Sequence, residues 1–385
     1  MASRRRCPSS PAANPLDDEN LLCEILLRLP PQPSSLPRAS AVCKRWRRLV
    51  SEAGFFRRFR LHHYRNPPLL GFFQDGSKGM TFVPTLEAPN RVHPRRFSLQ
   101  RDGTDRSYMP LGCRHGLFLI LLPERLQVLV WDPLTGDQNR IAVPAPFATS
   151  SANINGAVLR DAGNVQRFQV VLVLVDDGHD KQNVRALACV YSSNTGLWGD
   201  LLSTPIPYKA KLSSSWNDAV RAGDSLHWRL WGDLAGILEF DLEKQSLTVI
   251  GVPLDKKDCF RITRTEGGGL GFICISECSA QLWKRKTDSD GVTSWMLGRT
   301  VELDKLFSLK LRQNGNLIIL GYAEENNVVL VWTISGLFMI HLESFKFKKL
   351  FETMTLSYYY PFESVFPAEK DTGGRHDGAE IPHNA

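Results

Sequence analysis

The chain has 385 residues, 43% of them hydrophobic and 23% charged, which is too long for one small core and too apolar for disorder throughout. No run of about 18 uninterrupted apolar residues occurs, which argues against a membrane-spanning helix. The formal net charge of +7 sits in one short segment: residues 1–65 carry 13 Lys/Arg against 5 Asp/Glu and the remainder 34 against 35, so an extended nucleic-acid surface is disfavoured.

Residues 1–14 are rich in Arg, Ser and Pro and read as disordered. Arg4, Arg5 and Arg6 are not followed by an apolar run, so the segment does not read as a secretory signal, and cytosol or nucleus is the expected compartment. The eight cysteines, Cys7, Cys23, Cys43, Cys113, Cys189, Cys259, Cys274 and Cys278, are scattered rather than dense, and read as packed thiols, not a disulfide framework.

Residues 15–62 read as helical. Asp17 or Asp18 can cap a first helix, whose stripe is Leu21, Leu22, Ile25, Leu26 and Leu29. Pro30 and Pro31 stop it. A second helical stretch starts near Ser34 or Ser35, with Pro37 tolerated in its first turn. Its apolar side holds Leu36, Ala39, Val42, Cys43, Trp46, Leu49 and Val50, and its basic side Lys44, Arg45, Arg47 and Arg48. A module of about 50 residues has a marginal core, so an apolar face left over after internal packing would need a partner.

From residue 67 to 362 the pattern is short apolar or alternating runs between Gly, Asp, Asn and Ser clusters: Leu117–Leu122, Leu126–Trp131, Phe168–Val175, Ala186–Tyr191, Ile237–Leu242 and Val328–Trp332. A weak repeat joins Trp131-Asp132-Pro133-Leu134-Thr135-Gly136 to Tyr191-Ser192-Ser193-Asn194-Thr195-Gly196, with Phe240-Asp241-Leu242 and Ile340-His341-Leu342 in similar places. A period of about 40–60 residues suits propeller blades, about six to seven of them. Residues 367–385 again read as disordered. The expected fold is therefore α+β and multidomain: a small three-helix module followed by an all-β, propeller-like (kelch-like) domain.

The stretch Leu16-Asp17-Asp18-Glu19 through Leu29-Pro30 resembles the opening of an F-box, and Val42-Cys43-Lys44-Arg45-Trp46 its second half, closed by Phe55, Phe56 and Phe59. Asp17 stands where many F-boxes have Pro. Pro67 to Phe73, Cys113-Arg114-His115-Gly116, Trp131-Asp132-Pro133 and Cys189 to Ser193 are similar to plant F-box proteins with an F-box-associated β-propeller-like domain. The resemblance implies a non-catalytic substrate-recognition subunit of an SCF-type ubiquitin ligase. It would bind a Skp-type adaptor, and through it cullin and RING subunits, while the β domain selects a target protein. Carried onto this chain, it assigns Leu16, Leu22, Ile25, Leu26, Leu29, Pro30, Leu36, Val42, Cys43 and Trp46 to adaptor docking or to the core behind it. It implies no cofactor.

Other signals favour plain readings. The cations of residues 44–48 read as a solvated helix face. Cys274 and Cys278 have metal-ligand spacing but no second pair, so no metal is expected. His62-His63 read as solvated, Gly267-Gly268-Gly269 as a turn without the Lys-Ser/Thr of a phosphate loop, and Asp176-Asp177 as a loop before Gly178. No nucleophile elbow or His-Glu-x-x-His helix occurs. Trp131, Trp198, Trp228, Trp231, Trp283, Trp295 and Trp332 are expected mostly in blade cores; Trp216, in a polar stretch, is the candidate for target contact.

Overall fold

A computed structural model describes residues 15–76, 79–100, 108–148, 154–161, 164, 166–176, 184–206, 210–212, 218–232, 235–254, 260–276, 279–303, 317–353 and 356–366. The segments 1–14 and 367–385, and Trp216, Cys278 and Asp177, lie outside the described residues. Residues up to His62 belong to one compact unit and His63–Val365 form another.

The first unit holds four α-helices among the described residues: α1 (Glu19–Leu27), α2 (Ser35–Ser40), α3 (Lys44–Ser51) and α4 (Ala53–His62). The cap of α1 is Asp18, whose carboxylate accepts from Asn20 N at 2.8 Å and Leu21 N at 3.3 Å. Three helices were expected because the apolar pattern runs on without interruption. Two extended residues divide it. Cys43 (φ −161°, ψ 169°) ends the α2 region, and its Sγ accepts from Trp46 N at 3.5 Å; Glu52 (φ −70°, ψ 130°) then separates α3 from α4. The core of this unit is Leu22, Leu26, Leu27, Leu36, Ala39, Leu49, Val50, Phe55 and Phe59, all at most 5% exposed.

The second unit consists of six antiparallel sheets among the described residues. Strands β1 (Leu69–Gly76), β2 (Gly79–Pro84) and β3 (Ser98–Gln100) begin the first. The second is β4 (Met109–Arg114), β5 (Leu117–Leu122), β6 (Gln127–Trp131) and β7 (Gln138–Ala142). The third is β8 (Ile154–Arg160), β9 (Phe168–Asp176), β10 (Arg185–Ser192), β11 (Leu197–Trp198) and β12 (Leu202–Pro205). The fourth is β13 (Lys211–Leu212), β14 (Val220–Ala222), β15 (Ser225–Trp231), β16 (Gly236–Asp241) and β17 (Ser246–Gly251). The fifth is β18 (Phe260–Arg264), β19 (Leu270–Ser276), β20 (Ser279–Thr287) and β21 (Thr293–Glu302). The sixth is β22 (Ile318–Ala323), β23 (Val328–Thr333), β24 (Gly336–His341) and β25 (Phe347–Phe351). The last strand, β26 (Tyr359–Glu363), returns to pair with β1 and completes the first sheet. Six meandering sheets closed in this way form a six-bladed β-propeller, and the closure removes the open end that a linear array would leave.

Burial follows the blade order. β5 is buried at every position, because a strand in the middle of a blade has an apolar neighbour on each face. The outer strands β7 and β25 are mostly exposed. Apolar clusters join neighbouring blades: Leu119, Val128, Val130 and Ile141 of the second pack with Val158, Val170 and Leu172 of the third. Each fully buried large aliphatic side chain contributes on the order of 1.5–3 kcal/mol.

The weak repeat is a structural one. The turns after β6, β10, β16 and β24 place a left-handed residue four positions beyond Asp132, Ser192, Asp241 and His341: Gly136 (φ 83°), Gly196 (φ 72°), Gln245 (φ 51°) and Phe345 (φ 53°). Two of the four are glycine, which takes this conformation without a Cβ penalty. At the closure, Gly321 on the inner strand of the sixth blade faces Tyr359 on that of the first. A Cβ at Gly321 would stand 2.5 Å from Tyr359 O, so glycine is what lets these inner strands approach.

The tryptophans depart from expectation. Trp131 (2% exposed) and Trp228 (0%) are core, but Trp198, Trp283, Trp295 and Trp332 are half-buried and Trp231 is 49% exposed. Trp198 and Trp295 lie on the outer strands β11 and β21, which have solvent on one side, and cover seams instead. Trp198 Nε1 donates to Ala142 O of the preceding blade at 2.9 Å, and Trp295 Nε1 to Gly251 O at 2.7 Å.

Candidate functional site

Within the helical unit, the apolar residues expected at a docking face divide into two groups. Leu22 (0% exposed), Leu26 (0%) and Leu36 (1%) are internal core. Leu16 (39%), Ile25 (39%) and Val42 (62%) are exposed, as are Pro30 and Cys43, while Leu29 and Trp46 are half-buried. Leu21, 42% exposed, belongs with the exposed group and was not among the expected docking residues. Its signal was its spacing: Leu21 and Ile25 share one helical row, and Leu22 and Leu26 the row beside it. Core packing takes the second row and leaves the first.

The basic residues of α3 are not a uniform solvated face. Arg45 donates to Leu16 O and Asp17 O, both at 2.8 Å, and Arg48 meets the Glu19 carboxylate at 3.2 Å. Arg58 of α4 meets Glu24 at 2.7 Å.

In the β unit, the ends of the inner strands carry a polar cluster. Arg114 donates to Glu324 at 2.5 Å and to Ala219 O at 2.6 Å. Arg264 stands 3.1 Å from Glu325, Arg261 stands 3.6 Å from Asp218, and Arg160 bonds Asp132 at 2.7 Å. Tyr358 lies between Arg261 and Asp218 and hydrogen-bonds both, donating to Asp218 at 2.9 Å. Burial raises the Asp218 and Glu325 carboxyls above their ordinary range against the pull of these arginines. Burial likewise holds His115 well below its ordinary value, helped by Arg114. Tyr64 OH reaches the His115 ring at 3.0 Å.

Glu363, at the end of β26, accepts from Glu325 N at 3.1 Å and from Asn326 N and Nδ2, both at 2.8 Å. Asn326 Nδ2 also donates to Pro67 O at 3.0 Å, so this carboxylate ties the last strand to the sixth blade and, through Asn326, to the first residues of the domain. Burial outweighs those donors and pushes Glu363 up to about 7. A cavity of about 20 Å³ remains among Arg114, Asp218, Tyr322, Glu324 and Glu363, room for about one water. Arginine-paired acids line this cavity, which is itself too small for a sugar ring or a peptide.

Gly267-Gly268-Gly269 lies in the turn between β18 and β19, as expected. Cys274 is buried, and among the described residues no group of three or more His, Cys, Asp or Glu could hold a metal. Among those residues no helix is long and apolar enough to cross a membrane.

Comparison with known proteins gives three results. A solved structure of apo AztD from Citrobacter koseri aligns at 10% identity over 77% of this chain and 90% of its own, with a TM-score of 0.38; the Myceliophteria thermophila Cps50 (Swd1) β-propeller domain aligns at 10% identity over 74% and 85%, with 0.42. Likeness at that level adds nothing to the strand pairing already described. A curated Arabidopsis thaliana relative, the F-box/kelch-repeat protein At1g15680, is 26% identical over 315 residues, 74% of this chain and 72% of its own length. A family model described as F-box-like matches residues 19–62, and one described as F-box protein At3g26010-like, beta-propeller matches residues 93–350. With helices, blades and both matches in agreement, this chain belongs to the family of F-box proteins with an At3g26010-like β-propeller.

Proposed function

We propose that this chain is the substrate-recognition subunit of an SCF-type ubiquitin ligase. The F-box would bind a Skp-type adaptor and, through it, cullin and RING subunits, while the propeller holds a target protein. The chain itself would supply proximity rather than catalysis: a bound target meets a charged conjugating enzyme at raised effective concentration. We place this activity in the cytosol or nucleus.

The observation that carries the reading is the exposed set Leu16, Leu21, Ile25 and Val42 on an F-box whose own core is already complete. Large apolar side chains left outside a finished core mark a contact surface. The buried Leu22, Leu26 and Leu36 then support that surface from behind, with Trp46 half-buried between the two roles.

Surface variants give the clean test. Ile25→Asp and Val42→Asp are expected to leave the fold intact and to abolish co-purification with a Skp-type adaptor and a cullin. Retention of the adaptor by both variants would sink the reading. Adaptor binding by the wild-type chain, with no cullin and no ubiquitin transfer to bound proteins, would instead identify a scaffold working outside the ligase.

A further inference from the structure

We infer that Arg45 is a positioning residue for adaptor docking: it fastens the Leu16 segment to α3 and so sets the place of the exposed Leu16. The inference rests on the adaptor reading above. Leu16 lies in the 3-10 turn Pro15–Asp17, ahead of the α1 cap. The α1 ladder begins further on, with Leu22 N donating to Asp18 O at 2.9 Å. The carbonyls of Leu16 and Asp17 lie ahead of that ladder.

Arg45 supplies both donors from α3. Its two terminal nitrogens reach the two consecutive carbonyls, each at 2.8 Å. A planar fork on two adjacent acceptors fixes direction as well as distance, which a single lysine ammonium cannot do. The side chain so held, Leu16, is 39% exposed, so core packing alone does not account for the arrangement. Val42, 62% exposed, lies just before the same helix α3, at its N-terminal shoulder. The tie thus fixes the exposed Leu16 on the helix that follows the exposed Val42, before any partner binds. Preforming a contact surface removes the ordering cost that binding would otherwise meet.

The test uses the full chain and a purified Skp-type adaptor, comparing wild type, Arg45→Ala, Leu16→Ala and the double variant. Each single change is expected to weaken binding by about five- to tenfold, and the double variant no more than the worse single one. Arg45→Lys is expected to fall between wild type and Arg45→Ala. Independently of any adaptor, amide hydrogen exchange at residues 16–18 should speed up in Arg45→Ala, while exchange in α1 to α4 and the thermal midpoint stay unchanged. Multiplying losses in the double variant, or unaltered exchange at residues 16–18, overturns the role of Arg45 in a chain that binds the adaptor. A wild-type chain that does not bind the adaptor overturns the adaptor reading instead, and the exchange measurement still judges the tie.

Discussion

The two units treat their apolar surface in opposite ways. The F-box buries one row of α1, Leu22 and Leu26, and leaves the adjacent row, Leu21 and Ile25, in solvent. The propeller closes on itself: β26 pairs with β1, middle strands such as β5 and β9 are covered by their neighbours, and the ends of its inner strands carry paired charges. A helical module of about 50 residues has little interior, and some of its apolar surface is best satisfied by another chain. A ring of six sheets supplies its own partners at every seam. The same residue type, a leucine in a regular element, is left at the surface in one unit and buried in a self-closed ring in the other.

The sharpest way to break this contrast is at neighbouring positions of α1. Leu26→Asp puts a carboxylate where exposure is 0% and should unfold the F-box at a cost of several kcal/mol, seen as lost helix signal and rapid proteolysis of residues 15–62. Ile25→Asp, one residue away and 39% exposed, should change stability by about 0.5 kcal/mol or less. Equal destabilisation by both would erase the division between core and contact rows.

In the propeller, the largest effect is expected from Arg114→Ala. It removes the nearest cation from Glu324, whose side chain is 10% exposed, and leaves it only Arg221 N at 3.2 Å and the more distant Arg264 at 3.9 Å. About 3 kcal/mol of lost stability follows, at the low end for a broken buried pair, measurable by thermal or urea unfolding. Gly321→Ala should cost about 1–3 kcal/mol, because the new methyl meets Tyr359 O at the ring closure. An unchanged midpoint in that variant would mean the inner strands are not held as closely as described.

The smallest expected effect is a slope with pH. Burial raises Glu363 from an ordinary 4.5 to about 7, so between those values the folded chain holds a proton that the unfolded chain has lost. Its contribution to stability is therefore fully present below about 4.5 and is lost as pH rises through about 7. Melting curves from pH 5 to pH 8 should show stability falling with pH in the wild type more than in Glu363→Gln. The same slope in both would remove Glu363 as its source.

Much of this was legible in the sequence, and the pattern of what was legible has a physical basis. The six strands read from apolar runs correspond to β5, β6, β9, β10, β16 and β23, all of them middle strands of their blades. Such strands are apolar on both faces and announce themselves. The inner strand β18 carries Arg261 and Arg264 for the channel, and the outer strand β7 is mostly exposed, so neither shows an apolar run. The tryptophans were misjudged for a related reason: Trp198 and Trp295 lie on outer strands, where a ring covers a seam and its nitrogen finds a neighbour's carbonyl.

Local information by itself determined the F-box signature, the caps and proline stops of its helices, the recurring turn after Asp132, Ser192, Asp241 and His341, and the succession of short strands that makes a propeller the natural architecture. These depend on residues within a turn or two of one another. Tertiary structure alone decided the number of blades, the closure of β26 on β1, the Arg114–Glu324 pair across 210 residues, and which leucines of α1 face outward. Those outcomes depend on which distant surfaces meet. A helical row or a charged side chain carries no mark of its partner until the chain has brought that partner within about 4 Å.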